Sequence, residues 1–467
     1  MSFIDSIRSL AVIGATKKRG YFFLKTFVDT FKGKLYVIKP NITKIEDFPT
    51  VEVFKRLTDI PDDKPVDMAF ISIPREKVMP VIEDCHAKGV KLVSVFTSNF
   101  ADEGTEEGRK MQDALLKYCN IGEGSLRILG PNGMGLYFPK LGLRWRPSLP
   151  VEHGDAGLVI QSGGFANLVI HGLTSEHVRV SKTFSIGNAA DVDALDVFNY
   201  FINDPETNLI IQYLEGLPAG RGREYLNLIR ECKKPVILLK GGRTKTGALA
   251  ANTHTAALVG NIKIWENVVS QAGAILVDSF IDLINTAKYL KMVGKKKIQN
   301  ACMISISGGY GVVCSDVLEE HGVHLPDFRK LKDTNEKLTE IMNFKGTSHN
   351  NPLDLAVTFV NTEVLEQVLK IVLEEDSVDG IIIEIATYIL VHPFRSDMDI
   401  FTLTTDLLLK LKKKQEKPII VITQDVGDDE IRKRLKEKMQ SNNIPVYTDV
   451  LPLARVLRYI NRVMKVI

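Results

Sequence analysis

The sequence predicts an α/β protein built from three doubly wound domains. Short apolar runs with strand character alternate with helical patterns along the chain, and this alternation is typical of parallel sheets covered by helices on both faces. The 467 residues allow about three domains. A strand followed by Ser-Gly-Gly, an aromatic residue and a helix-like run occurs twice, where the second and third units begin.

The first unit is predicted from five strand-like runs and two clear helical patterns. The runs cover residues 10–13, 34–38, 68–73, 92–96 and 127–129, and the helices cover 77–88 and 106–118. Sheets of this kind bind ligands at the carboxyl ends of their strands. We therefore expect a ligand pocket there, formed by Gly14, Ala15, Thr16, Lys17, Lys39, Pro40, Ile73, Pro74, Thr97, Ser98 and Asn132. Each cluster alone would also fit an ordinary loop, and their shared position favours the pocket.

The turns after the first two strands restrict the class of ligand. Residues 14–20 contain glycines but do not form Gly-x-Gly-x-x-Gly, and the second strand ends in Lys39-Pro40-Asn41, where a dinucleotide dehydrogenase would carry an acid for the ribose hydroxyl. A hydride-transferring enzyme is therefore disfavoured. Basic residues nearby suit a ligand with an additional phosphate on its ribose, although a solvated basic rim would look the same. They are Lys17, Lys18, Arg19, Lys39 and Lys44.

The repeated Ser-Gly-Gly turn predicts phosphate binding. Its two copies are Ser162, Gly163 and Gly164, and Ser307, Gly308 and Gly309. The glycines leave backbone N–H groups unobstructed, and the following helix adds free donors and a partial positive charge. A single turn of this kind is often only a helix cap. Two such helix starts that face one another would hold a doubly charged phosphoryl group.

The segment 240–260 contains the candidate nucleophile, His254. It is rich in glycine and small residues and follows an apolar run at 235–239, so we expect a mobile loop that could carry the imidazole between two places. Neutral histidine can hold a phosphoryl group covalently. Glu215, after the predicted strand 209–214, would orient the ring. The alternatives are a histidine that only packs and an acid that caps a strand end in solvent.

We place the domains at 1–135, 155–292 and 299–467, with irregular or basic segments between them. Further strands are predicted at 157–160, 182–185, 236–239, 302–306, 380–385 and 418–423, and helices at 364–373 and 452–466. Asp191, Asp193 and Asp196 are expected to cap a helix, and no metal site is predicted. Arg144-Trp145-Arg146 either covers the pocket or packs a linker. Asp354 is expected to approach the phosphate region, and His349 and His392 are interpreted as structural.

Composition excludes several classes of protein. A net charge of +3 is too small to indicate a nucleic acid or an anionic membrane as partner. The five cysteines show no Cys-x-x-Cys spacing, which favours reduced thiols and a cytoplasmic protein over disulfides or zinc. No apolar run approaches 18 residues and the first residues lack a signal-peptide pattern, so neither membrane insertion nor export is expected.

Several motifs together resemble those of a known family, the alpha subunits of the ADP-forming acyl-CoA synthetases in the succinyl-CoA synthetase superfamily. The motifs are Val12-Ile-Gly-Ala-Thr16, Gly130-Pro-Asn132, Gln161-Ser-Gly163, Gly187-Asn188, Asp191-Val-Asp193, Tyr213-Leu-Glu-Gly216, Asn252-Thr-His-Thr255, Ser307-Gly-Gly309 and Asn351-Pro-Leu-Asp354. The resemblance implies a Rossmann-like CoA-binding domain followed by two flavodoxin-like domains of the succinyl-CoA synthetase type. The first of these would carry the phosphohistidine loop, and the second would resemble the end of a beta subunit.

The resemblance also implies the reaction acyl-CoA + ADP + phosphate ⇌ organic acid + CoA + ATP, through an acyl phosphate and a phosphohistidine. After the third unit there is no room for an ATP-grasp pair, so ADP or ATP and Mg²⁺ are expected mainly on a separate ATP-grasp beta subunit in an α₂β₂ heterotetramer. Two departures stand out. Thr253-His254-Thr255-Ala256 replaces the usual Ser-His-Thr-Gly, and Asn41 replaces a common lysine. The alternative is a catalytically inactive CoA-binding regulatory or scaffold protein of the same fold.

Overall fold

The computed structural model describes residues 1–119, 126–254, 262–391 and 399–463, except for the side chains of 2, 19, 251–254, 264, 357, 389 and 391. The chain forms two compact units, Met1–Phe280 and Ile281–Ile467. The first unit contains two sheets and the second contains one. Within the described residues, no helix is long and apolar enough to cross a lipid bilayer.

The first sheet is parallel and has the strand order β3-β2-β1-β4-β5-β6. Its strands are β1 (Ser9–Ile13), β2 (Lys34–Ile38), β3 (Glu52–Phe54), β4 (Met68–Ile71), β5 (Leu92–Val95) and β6 (Arg127–Leu129). The helices are α1 (Phe22–Thr30), α2 (Val78–Ala87) and α3 (Glu106–Leu115). In this order the chain reverses direction across the sheet between β1 and β4, and that switch point is where such sheets bind ligands.

The central strands of the first sheet are largely apolar because helices cover both faces. Along β1, Leu10 and Val12 belong to one core cluster, together with Phe70 of β4. The intervening Ala11 and Ile13 belong to another. Fully burying a large apolar side chain contributes about 1.5–3 kcal/mol. A run without polar alternation is therefore what a central parallel strand requires.

The second sheet has the order β12-β11-β10-β8-β9-β7, in which β7 alone runs antiparallel to its neighbour. Its strands are β7 (Gly135–Tyr137), β8 (Ala156–Ile160), β9 (Val180–Ser185), β10 (Leu209–Leu214), β11 (Val236–Lys240) and β12 (Ile275–Val277). The helices are α4 (Gly163–Ser175), α5 (Ala194–Asn203), α6 (Gly222–Glu231), α7 (Lys245–His254), α8 (Ile262–Ala272) and α9 (Phe280–Met292), and α9 leads into the second unit.

The third sheet is parallel and has the order β14-β13-β15-β16-β17. Its strands are β13 (Ala301–Ser305), β14 (Leu353–Asp354), β15 (Gly380–Glu384), β16 (Ile419–Ile422) and β17 (Val446–Tyr447). The helices are α10 (Gly308–Glu320), α11 (Lys332–Ile341), α12 (Thr362–Glu374), α13 (Thr387–Val391), α14 (Ile400–Lys414), α15 (Asp429–Gln440) and α16 (Val450–Val463). Counted from β8 and from β13, the parallel strands of the second and third sheets both follow the flavodoxin-like order 2-1-3-4-5, so the predicted fold class is confirmed.

The segment 134–153, predicted to be irregular, contributes to the second sheet. In β7, Gly135 pairs with Ser185 and Tyr137 with Thr183 of β9. Trp145 is buried, packs edge-on against Tyr137 and donates its indole N–H to Asn167 Oδ1 at 2.8 Å. Trp145 therefore packs the connection between the two sheets. The domain boundaries stay a prediction.

A seam of backbone contacts joins the first two sheets. Asn188 N–H donates to Pro131 O at 2.9 Å, and Ala190 N–H donates to Gly130 O at 3.1 Å. Gly187 has φ +53°, and a Cβ on it would lie 2.2 Å from Pro131 O. Two of the sequence motifs, residues 130–133 and 187–193, therefore pack directly against each other.

The three aspartates next to the seam are engaged in structural contacts. Asp193 caps α5 by accepting from Leu195 N–H at 2.8 Å. Asp191 and Asp196 both form ion pairs with Arg127, the first residue of the edge strand β6, at 3.0 Å. Asp193 thus has the capping role expected of it, whereas Asp191 accepts from Arg127 and from Ile128 N–H.

The seam predicts an unequal response to two glycine substitutions. Gly187→Ala should lower the free energy of unfolding by about 3 kcal/mol, because it combines a left-handed backbone with a clash against Pro131 O. Gly220→Ala is the matched control, since Gly220 has φ +81° but no atom within 4 Å of the added Cβ, and it should cost about 1 kcal/mol. Urea unfolding of both variants measures the difference, and equal costs would contradict a tightly packed seam.

Candidate functional site

The switch point of the first sheet is formed by two turns in direct contact. Gly14 follows β1 and has φ +111°, and a Cβ on it would lie 2.3 Å from Ser72 O in the turn after β4. Ser72 N–H donates to Ile13 O at 2.9 Å. Only glycine allows this approach, so the first predicted ligand turn is held against the third strand end of the pocket.

Hydrogen bonds link the strand ends on the other side of the pocket, each to the next. Thr97 Oγ1 donates to Ile73 O at 2.7 Å, and Asn132 N–H donates to Thr97 O at 2.9 Å. Lys39 follows β2 on the same edge, with its ammonium 5.5 Å from the centre of the Tyr21 ring. The other predicted residues flank these positions in the chain: Ala15, Thr16, Lys17, Pro40, Pro74 and Ser98. The structure thus places the whole set on one edge, while their contacts with CoA stay a prediction.

Asn132 has a second role that the sequence did not indicate. Its side-chain amide lies 3.4 Å from Asn188 Oδ1, across the seam. Asn188 in turn donates to Asp102 Oδ1 at 2.7 Å and to Gln112 Oε1 at 3.0 Å. The end of β6 therefore belongs both to the predicted pocket and to the contact between the first two sheets.

The first Ser-Gly-Gly turn lies at the switch point of the second sheet. Ser162 caps α4 by accepting from Phe165 N–H at 3.4 Å. A Cβ on Gly163 would lie 2.9 Å from Met134 Cγ, whereas one on Gly164 would meet none of the described residues within 4 Å. The second glycine therefore has open space beside it, where a phosphoryl oxygen could reach the helix start.

Glu215 lies beside this turn and is buried, with 7% of its surface exposed. Its N–H donates to Gln161 Oε1 at 2.8 Å, and its Oε1 accepts from the Tyr213 hydroxyl at 3.2 Å. The interpretation of an acid that caps a strand end in solvent is therefore wrong. Burial and the neighbouring carboxylate raise the pKa of Tyr213, so its hydroxyl remains a donor at neutral pH.

The segment after β11 is helical where a loop was expected. Residues 245–254 form α7, which starts with Gly247 N–H donating to Thr244 Oγ1 at 3.1 Å and continues through alanine and leucine, both strong helix formers. α7 lies beside the 3-10 helix Ala101–Glu103 of the first sheet's carboxyl edge. His254 is its last residue; the His254 side chain and residues 255–261 lie outside the described part of the chain.

The second Ser-Gly-Gly turn is held differently from the first. Ser307 makes no side-chain cap; its N–H donates to Ser305 Oγ at 3.1 Å. A Cβ on Gly308 would lie 2.8 Å from Asp354 Oδ2, so the expected approach of Asp354 to this turn is observed. Gly309 follows with no close neighbour other than Ser307. That the two turns face one another stays a prediction.

The sequence reasoning missed Glu384, which ends β15 and is 4% exposed. Its Oε2 lies 2.5 Å from Ser305 Oγ and accepts from Ile306 N–H at 3.2 Å, and its Oε1 accepts from Gln424 Nε2 at 2.9 Å. The sequence contained a signal for Glu384, because it ends an apolar strand much as Glu215 follows the apolar run of the central strand β10. Among the described residues, no group of three or more acidic, histidine or cysteine side chains could hold a metal ion.

Two family models match the chain in the regions of the first two sheets. A CoA binding domain matches residues 8–138, and a succinyl-CoA ligase like flavodoxin domain matches residues 153–290. A solved dinucleotide-forming acetyl-coenzyme A synthetase 1 from Ca. Korarchaeum cryptofilum, in complex with phosphate and ADP, superposes with a TM-score of 0.82. It is 24% identical and covers 99% of this chain and 97% of its own, which supports the fold.

Curated relatives carry the closer sequence similarity. The alpha subunit of ADP-forming acetate–CoA ligase I from Pyrococcus furiosus is 34% identical over 359 residues, which cover 74% of this chain and 75% of the relative. ADP-forming acetate–CoA ligase II from Archaeoglobus fulgidus is 29% identical over 98% of this chain, but the match spans 66% of that longer protein. On this similarity, with a CoA-binding and a ligase domain in the expected order, the chain belongs to the family of alpha subunits of ADP-forming acyl-CoA synthetases.

Proposed function

We propose that this chain is the catalytic alpha subunit of an ADP-forming acyl-CoA synthetase, an acid–thiol ligase. The observation that carries the proposal is the meeting of Glu215 with the start of α4 at one switch point, next to the strand that leads into the His254 helix. A buried carboxylate, a helix start with open space and a candidate nucleophile are the parts that phosphoryl transfer needs.

The first chemical step cleaves the thioester. Inorganic phosphate attacks the acyl carbon, the C–S bond breaks, and CoA leaves as a thiolate that takes up a proton. The product is an acyl phosphate. The edge of the first sheet would hold CoA through the turns after β1, β2, β4, β5 and β6, and the seam would keep that edge next to the second sheet.

The second step moves the phosphoryl group to His254. One ring nitrogen attacks phosphorus, the bond to the acyl oxygen breaks, and the organic acid leaves as a carboxylate. Glu215 would accept the N–H of the other ring nitrogen and so orient the attacking one. Backbone donors at Ser162–Gly164 and at Ser307–Gly309 would stabilise the charge on the phosphoryl oxygens.

The final transfer to ADP requires a nucleotide site. We place ADP and Mg²⁺ on a separate ATP-grasp beta subunit in an α₂β₂ assembly, where the metal would neutralise phosphate charge. The proposal is supported by the name of the Pyrococcus relative, a subunit alpha. All steps are reversible. None of these observations favours the alternative of an inactive CoA-binding scaffold.

The first test is a screen of organic acids for CoA-dependent ADP formation by the chain in complex with its partner. The wild type should consume ATP with at least one acid, and His254→Asn should abolish this because the phosphoryl carrier is lost. His349→Asn is the control for the loss of a histidine elsewhere, and it should keep full activity. Activity that survives His254→Asn would contradict the proposed route.

A second test concerns the carboxylate of Glu215. Glu215→Gln should slow phosphohistidine formation by about 100-fold, since the charge that orients the imidazole is removed. Tyr213→Phe should slow it by about tenfold, the effect of losing one hydrogen bond to a charged group. Rapid-quench measurement of the protein-bound phosphate gives both rates. An unchanged rate in Glu215→Gln would remove Glu215 from the mechanism.

A further inference from the structure

Lys240 is a buried cation that the proposed reaction does not use. It is the last residue of β11 and is 2% exposed. Its ammonium donates to Glu215 O at 2.7 Å and to Gly241 O, and it lies 5.5 Å from the centre of the Trp265 ring. Both hydrogen-bond acceptors are backbone carbonyls of turns at the candidate site.

Burying this ammonium is costly, which calls for an explanation. Desolvation lowers the pKa of Lys240 to about 8, although the carboxylate of Glu215 opposes the shift. The other positions of β11 are apolar and buried, so an aliphatic residue at 240 would complete the strand at lower cost. The cation is therefore better explained by what its N–H groups hold than by the stability of the strand.

The two carbonyl groups belong to two turns that contact each other. Gly241 N–H donates to Leu214 O at 2.9 Å, next to Glu215. A Cβ on Gly241 would lie 2.8 Å from the Tyr213 hydroxyl and 3.2 Å from Glu215 Cγ. The turn that leads into α7 thus packs directly on the Glu215 side chain. Lys240 donates to one carbonyl on each side of this contact, Glu215 O and Gly241 O.

We propose that Lys240 is a positioning residue for phosphoryl transfer, which holds the Glu215 turn against the turn that leads to the His254 helix. It acts through the relative placement of the carboxylate and the helix. The inference rests on the proposed function, because it assigns the same site a further residue.

The chain offers a matched control in Lys234. This residue precedes the same strand at its opposite end, and its ammonium also donates to two backbone carbonyls, Phe201 O at 2.7 Å and Asp204 O at 2.6 Å. Burial lowers its pKa as well. Lys234→Met therefore removes the same kind of interaction from the same domain without altering the turns at Glu215.

The experiment compares Lys240→Met with Lys234→Met in the complex with the partner subunit. We expect Lys240→Met to slow single-turnover phosphorylation of the chain by ATP and Mg²⁺ by 10-fold to about 100-fold, with an unchanged dissociation constant for CoA. Lys234→Met should phosphorylate within about twofold of the wild-type rate, even if urea unfolding shows a similar loss of stability. A wild-type rate in Lys240→Met, or an equal slowing in both variants, would overturn the proposal.

The pH dependence provides a second readout. As the pH rises through 8, Lys240 loses its proton, its bonds to the two carbonyls weaken, and the rate of phosphorylation in the wild type should fall. The charged group that faces it is Glu215, and Tyr213 stays protonated because its pKa is raised. Lys240→Met should lack the decline around pH 8.

This readout also decides the question if Lys240→Met does not fold. A wild-type rate that stays constant from pH 7 to about 9.5 would then contradict the proposal. The absence of any acid-labile phosphate on the wild-type chain is a different outcome. It would overturn the proposed function, and the role of Lys240 with it, whatever the variants do.

Discussion

Close backbone contact at the carboxyl edges of the first two sheets is the constraint on which the rest of the first unit depends. At the switch point of the first sheet, Gly14 lets the turn after β1 approach Ser72 O. At the seam, Gly187 lets the chain after β9 approach Pro131 O. A side chain at either glycine would separate the surfaces. The edge proposed to hold CoA and the edge proposed to hold the phosphoryl group are joined through these contacts.

In both the second and the third sheet, a buried glutamate lies beside the N-terminus of a helix. Glu215 follows β10 and Glu384 ends β15, each next to a Ser-Gly-Gly turn. The Glu215 N–H donates to Gln161 Oε1, and the Glu384 carboxylate accepts from Ser305 Oγ and Ile306 N–H. A buried carboxylate is tolerated only when its oxygens are bonded. The Glu384 carboxylate therefore holds the segment before its turn, and the Glu215 carboxylate is held by the Tyr213 hydroxyl. The ammonium of Lys240 adds a hydrogen bond to the backbone carbonyl of Glu215 at 2.7 Å.

Much of this architecture follows from sequence. The long central strands were predictable because both of their faces are buried, so their residues are apolar without interruption. β3, β7, β12, β14 and β17 were missed because they are two or three residues long, and an edge strand such as Glu52–Phe54 needs few apolar side chains. Segment 240–260 was predicted to be a loop because its four glycines were given more weight than the alanines of α7. The predicted closing helix starts two residues earlier, at Val450, and residues 464–467 lie outside the described part of the chain, as does His392.

The residues of the candidate site could be predicted where their position at a strand end indicates their chemistry. They could not be predicted where the partners come from distant segments of the chain. The Ser-Gly-Gly turns and Glu215 were found from their positions at strand ends. The engagement of Asn132 with Asn188 could not be found, since those residues are 56 positions apart and nothing local links them. The ion pair of Asp191 with Arg127, which is 64 positions away, could not be predicted for the same reason. Long-range contacts of this kind depend on how the two sheets pack.

The most direct test of the account is to map the protein-bound phosphate. The chain, in complex with its partner, is incubated with ATP and Mg²⁺, digested at alkaline pH and analysed by mass spectrometry for acid-labile phosphopeptides. The account predicts a single acid-labile phosphate on His254 that disappears when CoA and the organic acid are added. A phosphate on another residue, or turnover of CoA by a chain that never carries one, would contradict it.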